Sequence, residues 1–524
     1  MRSAHRAALA AAVLLAAVCV PVAEGVPVAQ GAQGAQGAQG AQGAARPSSA
    51  DHPSALDRYY NRRPAWRRCQ SQAPAAYQCA DITVPLDYAR PTGPTLRLRI
   101  SRLRTSVPGK RRGVLLSNPG GPSTAALGDP LQLNDSLSKK VKDHYDLIGF
   151  DPRGLATSSP LRCGLNQDEV TPFRPYRSAT YAEDVARARD IATKCASRDR
   201  ARLPYINTRN TARDMDVIRG VLGEKKISYV GWSYGTYLGA VYTQLFPRHT
   251  DRFVLDSAVA PGAFGRGTWQ AMASGSEPAF REWSRLTARE DRTYHLGDTP
   301  AKVRAAFWKL VARADRTPLR YEGSDEERRG QALTGADIRD WLRPEFFDAP
   351  GRAAREVVAL RKARATRPDP GPTGRADSFE DNATALYWAI MCGDNSASWP
   401  RDPARYRHDA VRDGARYPVY GDFASTITPC AFWPRGSEPA TRVDNRVRAL
   451  VVHNQWDSQT PLSSGRAMHR ALHGSRLVYV AGGRGHAVYG FPGAPKCVTR
   501  TVDAYLTEGR FPGRDITCRS QRVF

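Results

Sequence analysis

The chain has 524 residues, of which 41% are hydrophobic and 24% are charged. This composition excludes a largely disordered chain, because the apolar side chains suffice for a sizeable core. It also excludes an integral membrane protein, because the only apolar stretch of transmembrane length lies at the extreme N-terminus. The formal net charge of +26 would suit a nucleic-acid-binding protein. The basic residues are mostly arginines spread along the chain, however, so we expect no nucleic-acid partner.

The first 30 residues are typical of an export signal. Basic residues precede an apolar stretch over 7–20, and small residues after it offer several cleavage sites. A retained anchor and a lipoprotein are the alternatives, but Val18 stands before Cys19 where lipid attachment requires Gly, Ala or Ser. Four GAQ triplets without bulky side chains then predict a flexible spacer over residues 31–64. We therefore expect a secreted mature protein without a membrane span.

Eight of the nine cysteines lie beyond this signal, and an even number in an exported chain predicts disulfides. Eight cysteines allow 105 connectivities. Pairing each cysteine with its neighbour in sequence predicts the pairs Cys69–Cys79, Cys163–Cys195, Cys392–Cys430 and Cys497–Cys518. A metal site is a poor alternative, because the sequence contains neither a CxxC nor an HExxH motif. We expect no metal and no other cofactor.

Strands and helices alternate over residues 65–264. Short apolar runs and alternating patterns predict strands at 96–100, 114–117, 145–150, 227–231 and 252–257. Helical spacing predicts helices at 184–195, 211–222 and 236–246. Such an alternation indicates an α/β fold, with a parallel sheet covered by helices on both faces.

The same alternation of strands and helices returns over residues 447–524. Here the patterns predict strands at 449–453 and 476–481 and helices at 463–472 and 499–506. The intervening residues 265–446 contain helical segments, such as 279–286 and 301–314, and no clear strand alternation. We therefore expect a mainly helical lid inserted into one α/β domain, with an independent middle domain as the alternative.

The segment Gly231-Trp232-Ser233-Tyr234-Gly235 matches the motif G-x-S-x-G. It follows a predicted strand and opens a predicted helix, which is the context of a nucleophile elbow. The two glycines permit a strained turn that lifts the serine hydroxyl above the sheet. Ser233 is therefore the candidate nucleophile.

A nucleophilic serine needs a base that is oriented by an acid. In folds with this elbow, the acid and then the histidine follow the serine along the chain, each after a strand. Asp457 follows the strand at 449–453, and His486 follows the strand at 476–481. The other histidines of this region fit less well, because they lie within a predicted strand or helix: His453, His469 and His473.

An oxyanion hole needs two backbone N–H groups aimed at the tetrahedral oxygen. Tyr234, directly after the nucleophile, is expected to supply one. The loop Asn118-Pro119-Gly120-Gly121 follows an earlier strand and is expected to supply the other, from Gly121 in preference to Gly120. The alternative is that this loop is only a tight turn.

Four motifs carry a family resemblance: NPGGP at 118–122, GFDPRG at 149–154, NTARDMDVIRGVLGEKKISYVGWSYGTYLGAVY at 210–242 and YHLGDT at 294–299. With them the chain resembles the secreted bacterial tripeptidyl aminopeptidases over residues 65–520. These are serine peptidases of the α/β-hydrolase fold related to the proline iminopeptidases. The resemblance implies a triad of Ser233, Asp457 and His486. It also implies the release of short peptides, expected to be tripeptides, from free N-termini.

An exopeptidase of this kind must recognise the substrate's free amine, which arrives mostly as an ammonium at neutral pH. Enclosing an ammonium under a lid requires a carboxylate or several acceptors. We therefore expect acids of the insertion to face the cleft. The candidates are Glu277, Glu282 and Asp394.

Two other functions stay open at this point. A carboxylesterase or lipase would use the same triad on a different substrate. A basic surface-binding protein would use the positive charge on anionic polymers, although the order of the triad residues argues against pure binding. The sequence does not predict an oligomeric state.

Overall fold

A central sheet dominates the structure, a computed structural model that describes residues 55–171 and 173–520. The described residues form these strands: β1 (Arg67–Arg68), β2 (Tyr77–Pro85), β3 (Thr95–Leu103), β4 (Gly113–Asn118), β5 (Tyr145–Phe150), β6 (Ile227–Trp232), β7 (Thr250–Asp256), β8 (Leu319–Arg320), β9 (Ala332–Leu333), β10 (Ala449–Asn454), β11 (Arg476–Ala481) and β12 (Ile516–Arg519). Ten of them make the central sheet in the order β1-β2-β3-β5-β4-β6-β7-β10-β11-β12, while β8 and β9 pair separately.

The described helices alternate with these strands and fill the segment between β7 and β10. They are α1 (Asp57–Tyr60), α2 (Asp129–Ser136), α3 (Lys139–His144), α4 (Tyr181–Arg198), α5 (Thr208–Val221), α6 (Tyr234–Leu245), α7 (Arg266–Arg289), α8 (Asp291–Tyr294), α9 (Pro300–Arg316), α10 (Gly335–Asp348), α11 (Pro350–Lys362), α12 (Ser378–Gly393), α13 (Pro403–Arg416), α14 (Gly421–Ala424), α15 (Leu462–Ala471) and α16 (Lys496–Glu508).

The sheet is mixed rather than wholly parallel, which corrects the expectation from the sequence. The six pairings from β5 through β4 to β12 are parallel. The strands β1, β2, β3 and β5 pair antiparallel. The physical reason lies in residues 86–94, because this connection between β2 and β3 is too short for the crossover that parallel strands require.

Both faces of the parallel part are covered. Every residue of β4, β5, β6 and β10 is buried, as expected for strands between two layers of helices. Along β10, Ala449 and Val451 belong to one apolar cluster, and Leu450 and Val452 belong to another. Since successive side chains of a strand point to opposite faces, these two clusters are the cores on the two sides of the sheet.

The folded part begins before residue 65, where the sequence predicts the spacer to end. Residues Asp57–Tyr60 form α1, and Tyr59 is buried with 3% of its surface exposed. Tyr60 packs so closely on Gly220 of α5 that a Cβ there would lie 2.4 Å from its ring. The aromatic pair anchors this segment, whereas the GAQ repeats have no such side chain. The predicted export signal and the rest of the spacer lie outside the described residues.

The segment between β7 and β10 is mainly helical. Its longest helix, α7, extends well beyond the predicted 279–286, because Pro278 lies inside it and interrupts the helical pattern of the sequence. Aromatic rings of α7, α9 and α10 form the core of this helical segment. Their ring centroids are 4.8 Å apart for Trp283 and Phe346 and 5.0 Å apart for Phe280 and Phe307. The short strands β8 and β9 also lie in this segment.

Four disulfides join the cysteine pairs that neighbour pairing predicts, with Cα–Cα distances of 4.2–5.7 Å: Cys69–Cys79, Cys163–Cys195, Cys392–Cys430 and Cys497–Cys518. All four distances are close to those of ordinary protein disulfides. Among the described residues, no helix combines the length and the apolar character that crossing a membrane requires.

Candidate active site

Ser233 lies at a sharp turn between β6 and α6. Its φ is 54° and its ψ is −124°, a conformation that residues other than glycine rarely adopt and that strains the backbone. The flanking glycines are sterically necessary. A Cβ on Gly231 would lie 2.5 Å from the Gly235 carbonyl oxygen, and a Cβ on Gly235 would lie 2.3 Å from the Asn118 carbonyl oxygen. Close packing of strand, helix and neighbouring loop therefore holds the serine in its strained position.

Asp457 and His486 form a hydrogen-bonded pair at the carboxyl end of the sheet. Asp457 follows β10, His486 follows β11, and Nδ1 of the imidazole lies 2.9 Å from Asp457 Oδ2. Asp457 Oδ1 accepts the N–H of Gln459 at 2.8 Å, and Thr460 Oγ1 donates to Oδ2 at 3.0 Å. Because the acid occupies Nδ1, the other ring nitrogen, Nε2, is the one left to act as a base.

The charges of this pair support each other. Burial by itself would raise the pKa of Asp457, but the positive charge of His486 and its hydrogen bond hold that pKa below its usual value. Burial opposes the charged form of His486, yet the carboxylate of Asp457 raises the pKa of this histidine above its usual value. Asp256 and Asp348 add to that rise. A histidine with a raised pKa is a stronger proton acceptor.

The glycine loop after β4 lies beside the elbow, because β4 and β6 are neighbouring parallel strands. A Cβ on Gly120 would lie 2.9 Å from Ser233 Cβ, so the loop touches the serine. The N–H of Gly120 donates to Asn118 Oδ1 at 3.1 Å. This bond occupies the N–H of Gly120, while Gly121, with a φ of 108°, lines the cavity beside Ser233.

A small cavity of about 30 Å³ opens beside Ser233. Gly121, Tyr234 and the acid-loop residue Thr460 line it from the core. Its roof comes from helices of the lid and consists of large side chains: Trp269, Met272, Tyr387 and Met391. The cavity has room for about one water molecule. In this structure the lid therefore leaves only a small space beside the serine, which is partly exposed.

Two of the predicted amine-binding acids are engaged elsewhere. Glu282 forms ion pairs with Arg285 at 2.6 Å and with Arg484 at 2.7 Å. Burial would raise the pKa of Glu282, but these guanidinium groups lower it. Two cations thus already neutralise the charge of Glu282, and its role at a substrate amine stays a prediction. Glu277 Oε1 accepts the N–H of Val419 at 2.9 Å, and burial raises its pKa.

Of the three predicted acids, Asp394 is the one whose charge acts on a residue that lines the cavity, Tyr234. It follows α12 at a spacing of seven from Tyr387 and three from Met391, which places it on the helix face that lines the cavity. Its Oδ1 accepts the N–H of Thr208 at 2.8 Å. Its Oδ2 is buried without a hydrogen-bond partner among the described residues. Burial raises the pKa of Asp394 to about 7, and its negative charge raises the pKa of Tyr234.

The lid also holds the loop that carries His486. Arg484, two residues before the histidine, is the partner of Glu282 on α7. The N–H of Gly485 donates to the carbonyl oxygen of Phe347 on α10 at 3.2 Å. A change in the position of the lid would therefore also displace the loop that carries His486.

The sequence did not single out Asp256 and Ser257, which end β7 and contact the histidine loop. Asp256 Oδ2 accepts the backbone N–H groups of Val488 and Tyr489, at 2.9 and 2.6 Å. The signal was present in the run RFVLDS, where two polar residues follow an apolar strand at the edge that bears the site. No cluster of three or more potential metal ligands occurs within the described ranges.

Two family models match the chain. The model described as "alpha/beta hydrolase fold" covers residues 113–385, and the model described as "TAP-like protein" covers residues 417–518. A tripeptidyl aminopeptidase of Streptomyces lividans is 33% identical over 478 residues, which are 86% of this chain and 86% of the relative. The serine protease Hip1 of Mycobacterium tuberculosis is 28% identical over 86% of this chain and 90% of its own length. The carboxylesterase B of the same organism is 29% identical over 84% and 86% of the two chains.

Proposed function

Because the chain is a serine hydrolase that belongs to the tripeptidyl aminopeptidase family of α/β-hydrolases, we propose that it is an exported exopeptidase. It releases short peptides, expected to be tripeptides, from the free N-termini of longer chains. The observation that carries this proposal is the hydrogen-bonded pair of Asp457 and His486, whose acid loop lines the same small cavity as the strained elbow serine. The sequence coverage of the peptidase relatives extends through the lid.

The reaction would proceed through an acyl-enzyme. Ser233 Oγ attacks the carbonyl carbon of the scissile bond while His486 Nε2 takes the hydroxyl proton. Asp457 holds the proton on Nδ1 and stabilises the imidazolium. His486 then gives its proton to the leaving amine, and the remainder of the substrate chain departs with this amine as its new N-terminus, while the short peptide stays on Ser233 as the acyl group. A water molecule, activated by the same histidine, hydrolyses the ester and restores the hydroxyl of Ser233.

The tetrahedral intermediate carries a negative oxygen that two N–H groups would bind. Tyr234 N–H lies at the first turn of α6, where the helix dipole also favours negative charge. Gly121 N–H comes from the loop that touches Ser233. The loss of one such donor typically lowers kcat by about 100- to 1,000-fold.

Asp394 would bind the free amine of the substrate. It is the predicted acid on the helix face that lines the cavity, and one of its oxygens has no hydrogen-bond partner among the described residues. A buried carboxylate without a cation is unfavourable, so an arriving ammonium would relieve this cost. Binding of the N-terminus at a fixed distance from Ser233 would also set the length of the released peptide.

Substrate entry would require movement of the lid. Pockets for ligands of this size typically measure about 300–1,000 Å³, whereas the cavity at Ser233 measures about 30 Å³. The roof side chains Trp269 and Met272 would have to move aside. The lid contacts through Arg484 and Gly485 would couple such a movement to the histidine loop.

A carboxylesterase is the second candidate. Two observations favour it, namely the carboxylesterase B relative at 29% identity and the mainly apolar roof of the cavity. An esterase would bind an acyl chain against Trp269 and Met272 and would have no need of a carboxylate for an amine.

Export is proposed on the paired cysteines and the N-terminal signal pattern. Disulfides form and persist in oxidising compartments outside the cytosol, and all eight cysteines beyond the signal are paired in the structure. Sequencing the N-terminus of the protein recovered from culture medium would test this. An N-terminus that begins at Met1, or a protein retained inside the cell, would contradict export.

A substrate panel would test the activity. Tripeptide anilides with free N-termini, the same anilides with acetylated N-termini, and simple esters of matched acyl groups are compared by kcat/KM. We expect acetylation to lower kcat/KM at least about tenfold, which corresponds to about 1.4 kcal/mol. Equal cleavage of free and acetylated peptides, or a preference for plain esters over both, would identify an esterase instead.

A further inference from the structure

One short segment of chain binds all three loops of the site. It comprises residues 256–258 at the carboxyl end of β7 and is named here the β7 corner. The backbone N–H of Ser233 donates to the Asp256 carbonyl oxygen at 3.2 Å. On the other side, Thr460 Oγ1 in the acid loop lies 2.8 Å from the Ser257 carbonyl oxygen, and this oxygen and Asp457 Oδ2 share its single hydroxyl proton. The main chain of the β7 corner thus joins the nucleophile to the acid loop.

The side chains of the β7 corner bind the histidine loop. All three N–H groups that follow His486 donate to them: those of Val488 and Tyr489 to Asp256 Oδ2 at 2.9 and 2.6 Å, and that of Ala487 to Ser257 Oγ at 2.8 Å. Asp256 and Ser257 are fully buried, with 0% of their surface exposed. Water therefore cannot replace these bonds when they are lost.

Two strained residues meet at this contact. Ser257 has a φ of 56° and Ala487 has a φ of 76°. Both values lie in the left-handed region, which residues other than glycine rarely adopt. Such conformations persist only where the surroundings hold them. The bond from Ala487 N–H to Ser257 Oγ connects the two directly, one residue after His486. The backbone directly after the histidine, at Ala487, is therefore held in a conformation that it would not adopt alone.

We propose that Asp256 and Ser257 are positioning residues, which set the place of the His486 imidazole relative to Ser233. Their main chain bonds the elbow while their side chains bond the histidine loop, so one rigid corner determines the distance between base and nucleophile. The inference rests on the proposed function, because it takes Ser233 and His486 as reaction partners. Misplacement of a reacting group by about 1 Å costs on the order of 100-fold in rate.

Asp256 also acts on His486 through its charge. Burial raises the pKa of Asp256 to about 7, although the N–H groups of Tyr489 and Val488 and the positive charge of His486 oppose this rise. The pKa of His486 is raised by three carboxylates, those of Asp457, Asp256 and Asp348. The positive charge of His486 in turn lowers the pKa of its fully buried neighbour His453. Removing the charge of Asp256 alone should therefore lower the pKa of His486, since the other charged groups stay in place.

Three variants separate the bonds from the charge. Asp256→Asn keeps an oxygen that can accept both N–H groups but removes the charge. Asp256→Ala removes both, and Ser257→Ala removes only the acceptor of the Ala487 N–H. Asp129→Asn is the matched control, because Asp129 is also a buried acid with a pKa raised to about 7, mainly by burial, but it bonds Ser117 instead of the histidine loop.

Each full-length variant is first checked for folding by circular dichroism. kcat and KM are then measured against pH on a tripeptide anilide and on a simple ester. Asp256→Ala should lower kcat about 10- to 100-fold on both substrates, with KM within about twofold of the parent. Ser257→Ala should lower kcat about five- to tenfold. Asp256→Asn should keep kcat within about fivefold of the parent at its pH optimum.

The pH profile supplies the decisive readout. The neutral form of His486 is the active base, so kcat rises with pH through its pKa. Asp256→Asn should shift this rise to lower pH, whereas Asp129→Asn should leave both kcat and the profile unchanged. An unshifted profile together with parental kcat in Ser257→Ala would overturn the proposal, even if Asp256→Ala fails to fold.

The ester separates this proposal from the proposed function. If peptides are not cleaved but esters are, the exopeptidase assignment fails and the Asp256 effects are still measurable. If Ser233→Ala retains ester hydrolysis, the triad itself is wrong, whatever the Asp256 variants do.

Discussion

Replacing Asp394 by Asn would test the proposed amine site with little structural change. Asp394 Oδ1 accepts the N–H of Thr208 at 2.8 Å, and an amide oxygen can accept the same bond. Oδ2 has no hydrogen-bond partner among the described residues, so the amide nitrogen replaces an atom that has no bond to lose. The variant Asp394→Asn therefore removes a negative charge and leaves the bond at the start of α5 intact.

Activity and stability should change in opposite directions. We expect kcat/KM on peptides with free N-termini to fall about 10- to 100-fold, or by about 1.4–2.7 kcal/mol, because the ammonium loses its counter-charge. Acetylated peptides have no ammonium, so their kcat/KM should stay within about twofold. The roughly tenfold preference for free over acetylated substrates should shrink accordingly.

The effect on stability follows from the burial that raises the pKa of Asp394 to about 7. A group with a raised pKa favours the folded state fully only below its unfolded pKa, which is about 3.9 for aspartate, and that contribution is lost as the pH rises towards 7. A difference of about three pH units corresponds to on the order of 4 kcal/mol. At pH 8 the Asn variant should therefore be more stable than the parent, and below about pH 4 the two should be similar.

The assay combines kcat/KM on matched free and acetylated anilides with Tm at pH 8 and below pH 4. Glu282→Gln is the comparison, because its ion pair with Arg484 acts on the histidine loop and its loss should affect both substrates equally. Equal losses on free and acetylated peptides in Asp394→Asn would refute the amine site. A lower Tm at pH 8 would refute the argument from burial.

Three further outcomes are expected. Ser233→Ala should abolish labelling by an organophosphonate probe and lower kcat on the order of 10⁶-fold, and labelling that persists would contradict the nucleophile. Gly120→Ala should lower kcat, because its Cβ would lie 2.7 Å from the Trp232 carbonyl oxygen and 2.9 Å from Ser233 Cβ, and unchanged kcat would mean that the loop does not shape the site. Peptide mapping without reductant should recover four disulfides, each worth about 2–4 kcal/mol, and free thiols among the eight cysteines would contradict the pairing.

The fold class and the family could be predicted from the sequence because their signals are local. The strands at 145–150 and 476–481 agree with β5 and β11 in both bounds. Their apolar runs are short and bounded by turn residues, so the pattern leaves little freedom. The α/β-hydrolase fold and the family expected from the motifs are both confirmed. Since the chain is a serine hydrolase, a purely surface-binding protein no longer describes it.

Other elements escaped the sequence patterns for identifiable reasons. The strand β2 contains Gln78 and Asp81, and β12 has only four residues, so neither shows a clear apolar run. The helix α7 was predicted only in part, because Pro278 and the small residues before it weaken its helical pattern. In each of these elements, packing against the rest of the fold outweighs a weak local preference for strand or helix.

The sequence by itself therefore determined which reactive residues are present and which elements they follow. These are an elbow serine between a strand and a helix, an acid and a histidine each after a strand, and an even number of cysteines that can pair. Only the tertiary structure decided how the acids are used. Glu282 is neutralised by Arg484, which is 202 residues away in sequence, and Asp256 binds Tyr489 across 233 residues. Burial and charge pairing depend on such distant contacts, and no local pattern encodes them. For that reason the sequence named three candidate acids for one role, while packing left one buried oxygen of Asp394 without a hydrogen-bond partner in the part of the chain that the structure describes.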